Sequence, residues 1–208
     1  MRYNALGERM KKYEYVTRSH LTQRMPVIIR VDGKSFHTFT RGFKRPFDRV
    51  LMKAMQETMV RVCENIQGCV LGYTQSDEIS FVLVDYKTLY TSAWFDSNIQ
   101  KCASVAASMT TMHFNKAIKK QFNLYVAAQD KIDDDFQYIL TLFKAIEKGA
   151  MFDARIFNLP KEEVANYFLW GGNDATRNSI QMVGQTYFSH SELQGKTCNE
   201  IQDMLFTK

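Results

Sequence analysis

Short apolar runs alternate with longer amphipathic segments along the chain, and the two spacings predict strands and helices respectively. An amphipathic stretch over residues 5–20 predicts a helix, and the β-branched run 27–31 predicts a buried strand. Apolar residues then recur at helical spacing over 49–66. That spacing predicts a second helix, and Asp48 is placed to be its N-cap.

The middle of the chain predicts a hairpin, a long helix and a fourth strand. The apolar runs 69–74 and 79–84 each suit one strand, and only residues 75–78 separate them. A helix over about 96–121 follows, and residues 151–158 alternate as a strand does. The intervening stretch gives no clear pattern.

The last part of the chain is predicted to be helical. A helix begins near Lys161 and is expected to end at Trp170, because Gly171 and Gly172 interrupt it. Another helix follows over about 174–187. Further on, Thr197 and Glu200 have the spacing of a capping box, which predicts a final helix.

The predicted order is strand, helix, strand, strand, helix, strand, which is the split βαβ or ferredoxin-like pattern. We therefore expect an α+β fold with a palm-like antiparallel sheet and helices packed on it. Residues 1–208 are interpreted as a single palm-like domain, in which 161–208 form a helical C-terminal extension.

Composition and charge narrow the classes of function. The chain has 208 residues and a formal net charge of +5, which favours a polyanionic partner only modestly. The clustering of positive charges along the sequence is more informative, since seven cationic residues fall between residues 24 and 49 with only two acidic residues among them. The cations are Arg24, Arg30, Lys34, Arg41, Lys44, Arg45 and Arg49. A basic strip with isolated carboxylates suits phosphate together with a metal, although a solvated positive face has the same composition.

Other sequence features exclude common alternatives. The four cysteines have neither disulfide-framework nor metal-ligand spacing. The first twelve residues lack the apolar core of a signal peptide, and no apolar stretch reaches membrane-spanning length. We expect a soluble, cytoplasmic protein with no membrane partner.

Three carboxylates carry the candidate chemistry. Asp32 ends the first predicted strand, and Asp77 and Glu78 lie in the hairpin turn. Both places can meet at one edge of the sheet in this topology. A cluster of carboxylates repels itself, and Mg²⁺ prefers such oxygen ligands. Two ions held there would stabilise the attacking and leaving oxygens of an in-line phosphoryl displacement.

Neighbouring residues extend this hypothesis to a triphosphate. Gly33 lets a phosphate or a metal approach the backbone closely, and Lys34, Arg45 and Lys101 can cancel phosphate charge. Taken singly, Asp-Gly after a strand is usually a turn, and Ser-Asp-Glu is usually a solvated turn. The residues alone indicate metal-dependent phosphoryl or nucleotidyl transfer, and they do not separate polymerases from nucleotide cyclases. A non-catalytic RNA-binding module that kept the fold is the third hypothesis.

Several of these segments carry a resemblance to the tRNA-His guanylyltransferases and their bacterial and archaeal relatives. Residues 29–37 resemble the first signature of that family, and residues 73–81 closely match its second carboxylate motif. Further similar segments are 43–48, Trp94-Phe95 with Lys101, 152–155, 167–170 with Asp174 and Asn178, and 193–196. The resemblance covers nearly the whole chain.

The resemblance implies a template-directed 3′–5′ nucleotidyltransferase that uses ATP and GTP or other nucleoside triphosphates. The 3′-hydroxyl of an incoming nucleotide would attack a tRNA 5′ end that ATP has activated or that already carries a triphosphate. Asp32 and Asp77, with the Gly33 carbonyl, would hold two Mg²⁺ ions, and Glu78 would support that site. The implied nucleotide-binding residues are Lys34, Ser35, Phe36, His37, Arg45, Asp48, Ser76 and Lys101.

The resemblance also implies tRNA contacts and an oligomer. Arg155, Arg177 and Asn178 are the candidate tRNA contacts, and family members are commonly homotetramers. Eukaryotic members have a His-Ile-Asn-Asn block where this chain has residues 176–179, of which only Asn178 is shared. This departure favours the bacterial branch, which repairs truncated tRNA 5′ ends, over guanosine addition dedicated to tRNA-His. Packing against the core is the simpler interpretation of Phe36 and His37.

Overall fold

Four antiparallel strands form one sheet in the computed structural model, which describes residues 5–129 and 135–208. The strands are β1 (Val27–Gly33), β2 (Cys69–Gln75), β3 (Glu78–Leu83) and β4 (Phe152–Asn158). Their order across the sheet is β2-β3-β1-β4, so β1 pairs with both β3 and β4. This is the ferredoxin-like order, and it confirms the predicted α+β fold.

The helices are α1 (Ala5–Tyr15), α2 (Phe36–Phe39), α3 (Arg49–Asn65), α4 (Ile99–Ala127), α5 (Phe136–Lys148), α6 (Glu163–Tyr187), α7 (His190–Leu193) and α8 (Cys198–Phe206). A 3₁₀ turn, Trp94–Ser97, precedes α4. Helix α1 ends earlier than its amphipathic pattern predicts, and α4 continues further. The stretch without a clear pattern includes the end of α4 and the whole of α5.

The two faces of the sheet are covered differently. Alternate residues of β1 and β3, among them Ile29, Val31, Ile79 and Phe81, are fully buried in the main core with α3 and α4. We call this the helical face. The opposite face, which we call the open face, carries Ile28, Arg30 and Asp32 of β1, Glu78, Ser80 and Val82 of β3, and Asp153, Arg155 and Phe157 of β4.

The first half of α6 crosses the open face. The hydroxyls of Tyr167 and Ser80 are 2.8 Å apart, and the Tyr167 ring packs against Phe157 with centroids 5.9 Å apart. The next residue, Phe168, packs edge-on against Tyr73 of β2. These contacts give the sheet a second covering, since Ile28 and Val82 on this face are almost completely buried.

The predicted helix break at Gly171 and Gly172 is wrong, because α6 runs continuously from Glu163 to Tyr187. Each glycine costs a helix only about 1 kcal/mol relative to alanine. Packing at both ends outweighs that cost. The first half of α6 lies on the sheet, and near its other end Gly184 lies against Ile201 of α8. The predicted capping box of Thr197 and Glu200 is confirmed at the start of α8.

Candidate functional site

The three candidate carboxylates meet at one edge of the sheet. Val31 of β1 is paired with Ile79 of β3, and one residue further the same register places Asp32 opposite Glu78. Gln75 is paired with Glu78, so Ser76 and Asp77 form the two-residue turn of the hairpin and Asp77 directly precedes Glu78. The sheet topology therefore brings together two segments that lie far apart in the sequence.

The electrostatics of Asp77 show that these carboxylates interact. Burial raises the pKa of the Asp77 carboxyl, and the negative charges of Asp32 and Glu78 raise it further. A hydrogen bond of 2.9 Å from the Ser76 hydroxyl acts in the opposite direction. The folded chain thus keeps a carboxylate in an environment that disfavours its charge, which is typical of a site that binds a cation.

Glu78 is held by an arginine rather than turned freely toward the other acids. Its carboxylate accepts a hydrogen bond from the guanidinium of Arg30, with which it shares the open face. Burial opposes the charge on Arg30, but the hydrogen bond and the charge of Glu78 raise its pKa above the ordinary value, with smaller contributions from Tyr167 and Asp32. The Trp170 ring of α6 covers the same guanidinium, with 5.6 Å between Cζ and the ring centroid.

Two of the three carboxylates suit the magnesium site implied by the sequence. Within residues 5–129 and 135–208, no three Asp, Glu, His or Cys side chains come together as a metal site. Glu78 is engaged instead in the ion pair with Arg30. Asp32 and Asp77 fit a hard cation by their chemistry, because they supply oxygen ligands and their charges interact.

Gly33 makes room for the Phe36 ring, whereas the sequence suggested that it makes room for a phosphate or a metal. A β-carbon at this position would lie 2.3 Å from Cδ2 of the Phe36 ring, so that ring occupies the space above the glycine. Phe36 itself is buried among Phe39, Phe114 and Phe152. Its ring therefore serves the core, and the close approach at Gly33 is made by a side chain of the protein.

Exposed polar residues follow the carboxylate edge. Lys34, Ser35 and His37 are exposed immediately after β1, so the interpretation of His37 as a residue packed against the core is wrong. Ser35 and Ser76 both have left-handed backbone conformations, with φ of 51° and 49°. Such conformations cost energy in residues other than glycine, and they cluster at functional sites. The nucleotide contacts assigned to these residues by resemblance stay predictions.

Asp48 has a structural role in the fold. It is buried, and its carboxylate accepts hydrogen bonds from the backbone N–H of Leu51 and of Lys44, at 2.9 and 3.0 Å. The Tyr138 hydroxyl donates a third bond of 2.6 Å. Asp48 is thus the predicted N-cap of α3, and both of its oxygens are engaged within the protein. Its contact with a nucleotide stays a prediction.

The basic loop between α2 and α3 is anchored through Lys44. The Lys44 ammonium donates to the Tyr125 hydroxyl at 2.7 Å and to Asp135 at 3.0 Å, and it lies 4.4 Å from the ring centroid of Tyr138. Its neighbours Arg41 and Arg45 are exposed. The anchor therefore leaves other cations of this loop facing solvent.

Lys101 lies away from the carboxylate edge. Its neighbour Cys102 and nearby Ser97 line the same small cavity as Val27, at the end of β1 opposite to Asp32. Val27 and Asp32 are five residues apart on one strand, which is about 16 Å. Within one chain, the structure therefore does not bring Lys101 together with Asp32 and Asp77. Its ammonium lies 4.6 Å from the Phe95 ring centroid.

The candidate tRNA contacts lie on two parts of the molecule. Arg155 is an exposed residue of β4 on the open face, where its backbone pairs with Arg30. Arg177 and Asn178 belong to the second half of α6, and both bond to Asp174 on the same helix. No described contact tests their role toward tRNA.

Sequence reasoning missed three residues that surround the carboxylates. Arg30 pairs with Glu78, Trp170 covers Arg30, and Asp153 is the backbone partner of Asp32 across β1 and β4. Strand alternation could have placed Arg30 on the same face as Asp32, since the two are separated by one residue. The position of Trp170 could not be found in this way, because it depends on the packing of α6.

In the described part of the chain, no helix is both long and apolar enough to cross a membrane.

Relatives and solved structures place the chain among known proteins. A bacterial tRNA(His) guanylyltransferase-like protein solved in complex with ATP has 43% identity and a TM-score of 0.84, and the match covers 98% of this chain and 80% of that one. The same kind of protein in complex with GTP also has 43% identity, with a TM-score of 0.75 over 89% of this chain and 79% of the other.

A protein of Acanthamoeba polyphaga mimivirus is 28% identical over 200 residues, which cover 91% of this chain. The match spans 65% of the length of that viral protein. The profile of the family described as tRNAHis guanylyltransferase matches residues 7–160, which is more than half of the chain. The chain therefore belongs to the tRNA-His guanylyltransferase family of nucleotidyltransferases.

Proposed function

We propose that this chain is a template-directed 3′–5′ nucleotidyltransferase that adds nucleotides to the 5′ end of truncated tRNA with the help of two Mg²⁺ ions. The observation that carries this proposal is the meeting of Asp32, Asp77 and Glu78 at one edge of the sheet, where burial and mutual repulsion raise the pKa of Asp77. Membership in the family gives the reaction class. The bacterial relatives bound to ATP and GTP support both nucleotides as substrates.

The proposed reaction assigns roles to the residues at this edge. Asp32 and Asp77, with the Gly33 carbonyl, would hold the two ions, and magnesium bound there supplies positive charge for the attacking and leaving oxygens. Lys34 and Arg45 would bind the triphosphate of the incoming nucleotide. Its 3′-oxygen forms a bond to the 5′ phosphorus of the tRNA, the bond to pyrophosphate or AMP breaks, and the hydroxyl proton passes to water.

The tRNA and the assembly belong to the same proposal. Arg155 lies on the open face near Asp32 and can bind a phosphate of the tRNA end, while Arg177 and Asn178 would contact it from α6. The sequence of residues 176–179 supports repair of truncated tRNAs over guanosine addition dedicated to tRNA-His. A homotetramer and a cytoplasmic location complete the proposal, and light scattering measures the assembly.

The decisive experiment is 5′-end extension of a set of truncated tRNAs, with labelled nucleotides and Mg²⁺. We expect additions that follow the template base opposite each position and that disappear in Asp77→Asn. Asp203→Asn, an exposed position on α8 far along the chain, is the control for loss of one negative charge. Extension by Asp77→Asn at the wild-type rate would contradict the proposal.

Two further measurements separate the alternatives. Labelled GTP incubated without tRNA gives a cyclic or dinucleotide product if the chain is a nucleotide cyclase or a conventional polymerase. Tight tRNA binding without nucleotide turnover in any divalent metal would indicate a non-catalytic RNA-binding module.

A further inference from the structure

The guanidinium of Arg30, which pairs with Glu78, is covered by Trp170, a residue beyond the span that the family profile matches. The family match ends at residue 160, whereas Trp170 lies on α6. Its ring nevertheless reaches the guanidinium of Arg30, which shares the open face with the carboxylates. Helix α6 therefore contributes to the surroundings of the carboxylate edge as well as to the covering of the sheet.

The guanidinium of Arg30 has few other restraints. Its Nε is buried and has no hydrogen-bond partner, although most buried polar atoms in proteins have one. The described contacts that fix its position are the bond to Glu78 and the face of Trp170. A cation over an aromatic ring is attracted by the negative face of the ring, and more strongly when the pair is desolvated. Arg30 is partly buried, so the ring makes a substantial contribution to its position.

The position of Arg30 decides how many carboxylates are available to a cation. While Glu78 stays in the ion pair, Asp32 and Asp77 face the site with two negative charges. Release of Glu78 would add a third charge next to Asp32, its neighbour across the strands. Added negative charge strengthens the binding of a divalent cation, but it also changes the ligand geometry that nucleotidyl transfer requires.

We propose that Trp170 is a positioning residue for the carboxylate site: its ring holds Arg30, and Arg30 keeps Glu78 in an ion pair, so that Asp32 and Asp77 remain to bind the cation. This inference rests on the proposed function for its catalytic consequence. Its structural part concerns cation binding alone, and that part can be measured without tRNA or nucleotide.

The test is a titration of the protein with Mn²⁺, in which free Mn²⁺ is measured by electron paramagnetic resonance. We expect Trp170→Leu to tighten Mn²⁺ binding by about twofold to thirtyfold, the fold-changes that correspond to cation–π energies of about 0.5–2 kcal/mol. Trp170→Phe retains a ring and should change the binding little. Leu169→Ala is the matched control, because Leu169 is the preceding residue of α6 and has 63% exposure against 56% for Trp170.

A double-mutant cycle identifies the path of the effect. In a Glu78→Gln background, Trp170→Leu should leave Mn²⁺ binding unchanged, since no third carboxylate is left to release. An equal shift in the wild-type and Glu78→Gln backgrounds would overturn the proposal, and so would a wild-type protein that binds no Mn²⁺. Circular dichroism melts check that each variant is folded. If Trp170→Leu unfolds, Arg30→Lys tests the same path, because lysine does not reproduce the guanidinium geometry that bonds Glu78, and it should also tighten Mn²⁺ binding.

Extension of truncated tRNA by the same variants separates this inference from the proposed function. At saturating Mg²⁺ we expect Trp170→Leu to lower kcat several-fold with little change in the KM for the nucleotide. A wild-type protein that binds Mn²⁺ but extends no tRNA contradicts the proposed function, and the Mn²⁺ titrations still decide whether Trp170 acts through Glu78. An unchanged Mn²⁺ affinity in a folded Trp170→Leu variant contradicts the inference and leaves the proposed function standing.

Discussion

The Cδ2 atom of Phe36 lies 2.3 Å from the place that a β-carbon on Gly33 would take. Real β-carbons essentially never come so close to another atom, so Gly33→Ala must displace a ring in the core. We expect this variant to lower the free energy of unfolding by about 1–3 kcal/mol, the usual cost of overpacking. Urea unfolding measures the change. Wild-type stability would show that the Phe36 ring can move without cost.

The two glycines in the middle of α6 should respond in the opposite direction. A β-carbon on Gly172 would meet no atom within 4 Å, and one on Gly171 would make ordinary contacts with Tyr73 and Gln75. Alanine favours a helix over glycine by about 0.5–1 kcal/mol. We therefore expect Gly171→Ala and Gly172→Ala each to stabilise the protein by this amount in urea unfolding. Destabilisation by both would indicate that α6 is not continuous in solution.

Asp77→Asn should stabilise the protein in the absence of divalent cations. The pKa of the Asp77 carboxyl is raised in the folded state, so its stabilising contribution is present at acidic pH and is lost as pH rises through the folded pKa. Above that pH the charged carboxylate is a cost that asparagine removes. We expect a melting temperature higher by roughly 2–4 °C at pH 7, which is about 1 kcal/mol for a chain of this size. The difference should vanish when the melt is repeated near pH 3.

Magnesium should reverse the order of the two melting temperatures, so that the wild type melts above Asp77→Asn. A cation that binds only the folded state stabilises it, and Asp77 is one of its proposed ligands. We expect addition of Mg²⁺ to raise the melting temperature of the wild type and to leave that of Asp77→Asn nearly unchanged. A similar rise in both proteins would exclude Asp77 as a ligand.

Two substitutions of Asp48 distinguish its structural role from a nucleotide contact. Asp48→Ala removes the N-cap of α3 and leaves the Tyr138 hydroxyl without its acceptor, so we expect a loss of about 2–4 kcal/mol in the free energy of unfolding. Asp48→Asn keeps a good capping side chain and should lose less. If Asp48→Asn folds normally but has a much higher KM for the nucleotide, Asp48 contacts the substrate directly.

Much of the sheet and of its carboxylate edge could be predicted from the sequence, because both depend on local patterns. A β-branched apolar run identified β1, alternation identified β4, and the short turn between two apolar runs identified the β2–β3 hairpin. The connection order then left few arrangements of four strands, and one of them places Asp32 beside Asp77 and Glu78. The N-cap at Asp48 was predictable for the same reason, since it depends on neighbouring residues.

The errors and omissions concern contacts between distant segments. The helix break at Gly171 was predicted from local preference, and packing on the sheet and on α8 overrides that preference. Lys101 was grouped with the carboxylates as a cation that can cancel phosphate charge, whereas within one chain the start of α4 lies at the other end of β1. Its nucleotide contact stays a prediction. The contact of Trp170 with Arg30 joins residues 140 positions apart, and no local pattern encodes it.

The covering of the open face by α6 has a consequence for any shortened form of the protein. A chain that stopped at residue 160 would retain all four strands and every candidate carboxylate. It would also leave Ile28, Val82 and Phe157 facing water on one side of the sheet, where α6 now covers them. Large exposed apolar surfaces promote self-association. The surroundings of the carboxylate edge and the covering of the sheet that carries it are therefore supplied by the same helix.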